Sequence, residues 1–135
     1  DLEVLLRRVN GVVINESEAL LFTREPTLMQ AGESLKALGP EFVIIKKGTH
    51  GALLFSTAGV SALPAYPITT VCDPTGAGDS FAGGLLGYLT AESDRSPTAL
   101  KRAVAYATCV ASFNVEDFGA DRLSRLEPSE ALRAL

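Results

Sequence analysis

Asp73-Pro74-Thr75-Gly76-Ala77-Gly78-Asp79-Ser80-Phe81-Ala82-Gly83-Gly84 is the most informative stretch of the chain. A loop carrying Pro74, Gly76 and Gly78 runs into a helix predicted over Asp79 to Leu89. N–H groups at the head of a helix lack partners and carry partial positive charge, so this is a natural anion site. Small residues at 76, 77 and 78 let an anion approach the main chain closely. Gly83 and Gly84 are expected to let the helix pack tightly on a sheet.

Asp79 has two readings. Alone, an aspartate in a first helical turn is a partner for the helix dipole. Beside an anion loop, its carboxylate can take the proton of an attacking hydroxyl while the loop stabilises charge on a transferring phosphoryl group. Two familiar nucleotide loops are excluded. No GxxxxGK[ST] occurs, and Phe81 stands where the dinucleotide fingerprint needs its third glycine.

Upstream, the chain alternates short apolar runs with helical ones. Leu2 to Val9 reads as a helical run stopped near Gly11, and Val12-Val13-Ile14 as a buried β-branched strand. Helices are predicted over Glu16 to Phe22 and Thr27 to Leu38, the latter ended by Gly39-Pro40. Phe42 to Ile45, Ala52 to Phe55 and Val60 to Leu63 read as strands. Gly48 and Gly51 bracket a tight turn, and Ser56 to Gly59 forms a hairpin-like turn. Thr69 to Cys72 is a further extended run. Downstream, Ser96-Pro97 opens a helix over Thr98 to about Asn114, Gly119 marks a loop, and Pro128 to Leu135 is a terminal helix. This alternation predicts an α/β layered fold with a largely parallel sheet.

The 135 residues suit one domain with a real core, and 47% hydrophobic against 21% charged residues argues for a folded chain. The net charge of −4, with only Lys46-Lys47 as a basic pair, argues against nucleic acid as a partner. No apolar stretch nears the roughly 20 residues of a membrane span, and no N-terminal signal pattern appears. Cys72 and Cys109 form no CxxC pair and are read as small core residues in a reducing cytoplasm. The single methionine, Met29, falls inside a predicted helix, so Asp1 is not read as a translation start.

Asp73 to Leu86 resembles the C-terminal signature of the PfkB/ribokinase family of carbohydrate and nucleoside kinases: Asp-Pro-Thr-Gly-Ala-Gly-Asp, three residues, then Gly-Gly-Leu-Leu. The resemblance runs from about Asn10 to Leu126. It implies a ribokinase-like three-layer α/β/α fold, of which residues 1–135 are the C-terminal part of a single kinase domain. The N-terminal half, with its lid strands and most substrate contacts, is then absent. It also implies that Gly76, Ala77 and Gly78 form an anion hole and that Asp79 is the catalytic base. ATP and Mg²⁺ follow as cofactors, with a small-molecule alcohol as acceptor and an unpaired sheet edge that invites a homodimer.

Asn15-Glu16-Ser17-Glu18 is similar to the family's Asn-x-x-Glu element, in which Asn15 would serve the ATP phosphates and Glu18 would act on Mg²⁺ through bound water. The plain reading of Asn15 is a helix N-cap. Lys46-Lys47-Gly48-Thr49-His50-Gly51 resembles the segment bordering the nucleotide, which assigns Lys46, Gly48, Thr49 and Gly51 to it. His50, the only histidine, is read as a turn residue. Ala107 to Gly119 resembles the helix and loop over the adenine, with Thr108 facing the base. Asp73 and Thr75, with the backbone around Asn114, Asp117 and Gly119, resemble the monovalent-cation loop of some members, where K⁺ would sit.

Three functions are weighed. The first is ATP-dependent phosphorylation of a sugar or related alcohol, with a nucleoside acceptor as its variant. The second is a binding module, nucleotide-holding but catalytically incompetent. The third is an ester hydrolase suggested by Gly78-Asp79-Ser80, which lacks a downstream histidine base.

Overall fold

Phe42-Val43-Ile44-Ile45 is buried along its whole length, which explains an unbroken apolar run where a half-buried strand would alternate. It belongs to strand β2 (Phe42–Lys46) of a four-stranded sheet with β1 (Gly11–Asn15), β3 (Ala52–Ser56) and β4 (Gly59–Leu63), in the order β1-β2-β3-β4. The computed structural model describes residues 2–134. They divide into two units, one ending at Pro64 and one beginning at Ala65.

In the first unit, β1 and β2 pair in parallel, with Gly11 opposite Phe42 and Asn15 opposite Lys46. The connection is a helical crossover, as parallel strands require. It contains α2 (Glu16–Thr23) and α3 (Leu28–Ala37), after the short α1 (Leu2–Leu6). β2 with β3, and β3 with β4, are antiparallel. The largely parallel sheet expected from the alternation is therefore corrected to a mixed one. The segment Lys47–Gly51 is far too short to carry a chain back for a parallel pairing, which needs about a dozen residues. It closes instead as a 3₁₀ turn over Gly48–His50. The β3–β4 hairpin forms where expected, with Ser56 opposite Gly59.

The core of this unit gathers Leu6, Ala19, Ala31, Leu35, Val43, Ile45 and Phe55. α3 is capped by Thr27, whose hydroxyl accepts the Gln30 N–H. It buries Ala31, Gly32 and Leu35, the i, i+1, i+4 set of one helical face. Gly32 is needed there: a Cβ at this position would lie 2.0 Å from the Phe55 ring.

The second unit is helical: α4 (Ala77–Ala91), α5 (Pro97–Asn114), α6 (Asp121–Ser124) and α7 (Pro128–Arg133). Thr69 to Cys72 forms no strand. α5 starts with Ser96 capping the Ala99 N–H and Pro97 at its first turn. α4 begins at Ala77, two residues before the expected Asp79, because Gly76 serves as its N-cap. The pair Gly83-Gly84 does not act as expected. A Cβ on Gly84 would approach Val110 Cβ at 3.1 Å and Ala107 Cα at 3.3 Å, so Gly84 brings α4 against helix α5, while Gly83 faces open space. Tyr88 and Tyr106 meet across the same helix pair, ring centres 5.5 Å apart. A smaller cluster joins Cys109, Phe113 and Ala131, with Tyr66 packed against it. Cys109 is thus a core residue as expected, but Cys72 is exposed. Among the described residues no helix is long and apolar enough to cross a membrane.

Candidate active site

In the second unit, the loop before α4 is fixed from three directions. The Asp73 carboxylate accepts the Thr75 N–H at 2.9 Å, an Asx turn that bends the chain. The N–H groups of Cys72 and Asp73 both donate to the Val115 carbonyl, at 2.8 and 3.3 Å. Asn114, at the end of α5, donates its side-chain amide to the Thr75 carbonyl at 3.0 Å. Gly76 then turns the chain into the helix with φ 80°, a left-handed conformation that suits glycine.

The donors at the helix head can be accounted for one by one. The Ala77 N–H points at the Pro74 carbonyl at 3.3 Å, and the Ser80 N–H makes the first helical bond to Gly76 at 2.8 Å. Among the described residues the N–H groups of Gly76, Gly78 and Asp79 have no acceptor, and no side chain caps the helix. Three open donors at a positive helix terminus form an arrangement suited to an anion. Asp79 stands in the first turn of α4 with its side chain exposed.

Asp73 is held as a carboxylate. The Thr75 N–H lowers its pKa below the usual value of 3.8, helped by the Thr75 hydroxyl and, more weakly, by the Gly119 N–H, against a small opposing effect of burial. Asp73, Thr75 and Gly119, three of the residues assigned to a cation loop, therefore come together. Asp117 was assigned through its backbone; its carboxylate takes the Phe118 N–H and pairs with Arg125. Thr108 lies further back on α5, half-buried, and donates its hydroxyl to the Val104 carbonyl at 2.9 Å.

In the first unit, Asn15 and Glu18 form a reciprocal capping box at the head of α2. The plain reading of Asn15 as an N-cap therefore holds. Glu18 remains exposed, and only one of its carboxylate oxygens is bonded to Asn15. Lys46 ends β2 directly beside Asn15. It is followed by the exposed Gly48, Thr49 and His50, and by the buried Gly51. The turn is closed by the Lys47 N–H donating to Gly51 O at 2.7 Å. No group of three or more His, Cys, Asp or Glu able to hold a metal exists among the described residues. The exposed Glu18 carboxylate could hold a Mg²⁺ ion only with water and phosphate completing its ligands, a set this hard cation accepts.

The side-chain bond from Asn114 to the loop is the contact that the sequence left unread, since only the backbone there was invoked. Its one signal is a polar residue between two apolar ones at the helix end, Phe113-Asn114-Val115.

The chain is similar in sequence and in fold to known kinases. The cytidine kinase of Thermococcus kodakarensis is 39% identical over 90 residues, 64% of this chain and 32% of that protein. The aminoimidazole riboside kinase from Salmonella enterica, solved with aminoimidazole riboside and an ATP analog, superposes with a TM-score of 0.84 at 27% identity, over 98% of this chain and 44% of that one. Arabidopsis thaliana ribokinase, solved with ribose and ATP, gives a TM-score of 0.83 at 25% identity, over 98% and 42%. The ribokinase-like α/β fold is therefore established. The chain spans less than half the length of each of these proteins. The description of pfkB family carbohydrate kinases matches residues 1–125, and the chain belongs to that family.

Proposed function

We propose that this chain carries the catalytic-base and ATP-handling part of an enzyme that moves the terminal phosphoryl group of ATP onto a hydroxyl of a small sugar or related alcohol. The observation that carries this reading is the set of open N–H groups of Gly76, Gly78 and Asp79 at the head of α4, with the exposed Asp79 carboxylate in the same turn. Asp79 accepts the proton of the attacking hydroxyl, and the loop N–H groups stabilise charge on the phosphoryl oxygens. Asn15, Lys46, Gly48, Thr49, Gly51 and Thr108 serve the nucleotide. Glu18 would hold Mg²⁺ through water, and the ion would supply neutralisation of phosphate charge when bound. Asp73 and Thr75, grouped with Gly119, would receive K⁺.

A nucleoside acceptor is the second reading, favoured by the cytidine and aminoimidazole riboside kinases among the similar proteins. A third reading is a nucleotide-binding chain without turnover of its own.

An acceptor panel of pentoses, hexoses, polyols and nucleosides, each with ATP and Mg²⁺, tests the proposal. ADP formation dependent on a sugar or polyol is the expected result. Turnover of nucleosides alone would move the assignment to the second reading. Nucleotide binding with no acceptor-dependent ADP would move it to the third, and a chain that binds no ATP would overturn all three.

A further inference from the structure

We infer that Asn114 is a positioning residue for the anion loop, acting through the Thr75–Gly76 peptide and touching neither nucleotide nor acceptor; this rests on the function proposed above. Asn114 is 2% exposed and lies between the buried Phe113 and Val115. A buried amide is costly unless bonded. Among the described residues the other buried polar side chain, Ser112, satisfies itself within α5 by donating to the Thr108 carbonyl. Asn114 instead reaches 39 positions back in the chain to the Thr75 carbonyl, at 3.0 Å.

The consequence follows from peptide geometry. In a planar trans peptide the C=O and the next N–H point in opposite directions. Holding the Thr75 carbonyl toward Asn114 therefore turns the Gly76 N–H away from α5, leaving it unpaired. The preceding peptide is fixed as well, because Asp73 takes the Thr75 N–H. Gly76 itself can rotate freely, having no Cβ, so the direction of its N–H depends on this outside anchor. A Cβ at Gly76 would stand 3.5 Å from the Asn114 amide nitrogen, so the amide also occupies the space beside the turn.

The test compares Asn114→Leu, Asn114→Asp and Asn114→Gln. Leu fills the site with an apolar group of similar size. Asp keeps the shape but sets an acceptor against a carbonyl. Gln keeps the donor. Misplacing a reacting group by about 1 Å can cost about 10²-fold in rate. The expected result is a fall in kcat of about 10- to 100-fold for Leu and Asp, with the acceptor KM nearly unchanged and partial recovery in Gln. A Leu variant that melts like wild type and keeps its kcat overturns the inference, as does a Gln variant no better than Leu.

A second readout does not need turnover. Inorganic phosphate is titrated into the ¹⁵N-labelled chain while the amide signals of Gly76 and Gly78 are followed. Movement of the Gly76 signal in wild type but not in Asn114→Leu supports the inference, even if no acceptor on the panel is phosphorylated. Equal movement in both, or none in wild type, overturns it. Failure of the acceptor panel alone rejects only the proposed reaction.

Discussion

Asn15 and Glu18 hold each other twice: the Asn15 side-chain oxygen accepts the Glu18 N–H at 2.8 Å, and the Glu18 carboxylate accepts the Asn15 N–H at 3.0 Å. The same two residues are the ones proposed to serve Mg²⁺ and the ATP phosphates, so on that proposal fold and chemistry compete for one carboxylate. Substitutions separate them. Asn15→Ala removes the cap and should cost about 0.5–2 kcal/mol of stability. Glu18→Gln keeps an acceptor for the Asn15 N–H, so the urea midpoint should barely move while the Mg²⁺ needed for half-maximal rate rises. An unchanged Mg²⁺ curve would leave Glu18 as a capping residue only.

Asp79→Asn keeps the size of the side chain and removes the base. In active protein, turnover should fall about 10²- to 10⁴-fold with ATP affinity largely retained, because the open N–H groups of Gly76 and Gly78 remain. Steady-state kinetics beside calorimetric ATP binding measures both. Turnover near wild type would remove Asp79 from the mechanism.

Asp73 makes stability depend on acid. Its folded pKa lies below 3.8, through the Thr75 N–H first, so at acid pH the unfolded chain binds the proton more readily than the folded one. The stabilisation is fully present above the unfolded value and is lost as pH falls through the folded one. Asp73→Asn should therefore flatten the loss of stability below about pH 4. Urea midpoints measured from pH 6 down to pH 3 test it; parallel curves for wild type and variant would show that Asp73 titrates alike in both states.

Glycines of similar sequence context should respond differently. Gly83→Ala adds a methyl to open space in α4 and should stabilise by about 0.5–1 kcal/mol through helix propensity. Gly84→Ala meets Val110 and Ala107 at 3.1–3.3 Å, so that gain should be lost or reversed. Gly32→Ala drives a methyl into the Phe55 ring and should cost about 1–3 kcal/mol by overpacking. Thermal melts of the three variants order them; Gly32→Ala as stable as wild type would mean that the Phe55 ring moves aside freely.

The sequence showed these features unevenly, for physical reasons. The loop at Gly76 was readable because a glycine beside a helix start reports a backbone conformation and free donors at once. The hairpin around Thr57-Ala58 was readable from its polar break between apolar runs. Strand direction was misjudged, although the short Lys47–Gly51 link carried the answer: apolar periodicity has no direction, whereas connection length does. The role of Gly84 was misplaced because a small residue announces close approach without naming the neighbour. The Asn114–Thr75 bond joins residues 39 apart, and local sequence pattern does not encode such a pairing. Cys72 was expected inside because cysteine often is, but it sits on the loop, where its N–H rather than its side chain is used.

The sheet order also implies an order of assembly. Ser56 meets Gly59 across a two-residue turn, whereas Gly11 must find Phe42 across 31 positions that include two helices. Closing the longer loop carries the greater entropy cost, and hairpins form in about 1–10 μs. The β3–β4 hairpin is thus the expected nucleus, with β1 joining late. In a chevron analysis, truncations in β3 such as Leu54→Ala should mainly slow folding, while Val13→Ala in β1 should mainly speed unfolding. The reverse pattern would place the nucleus in the parallel pair, and the first unit would then begin its folding from its least local contact.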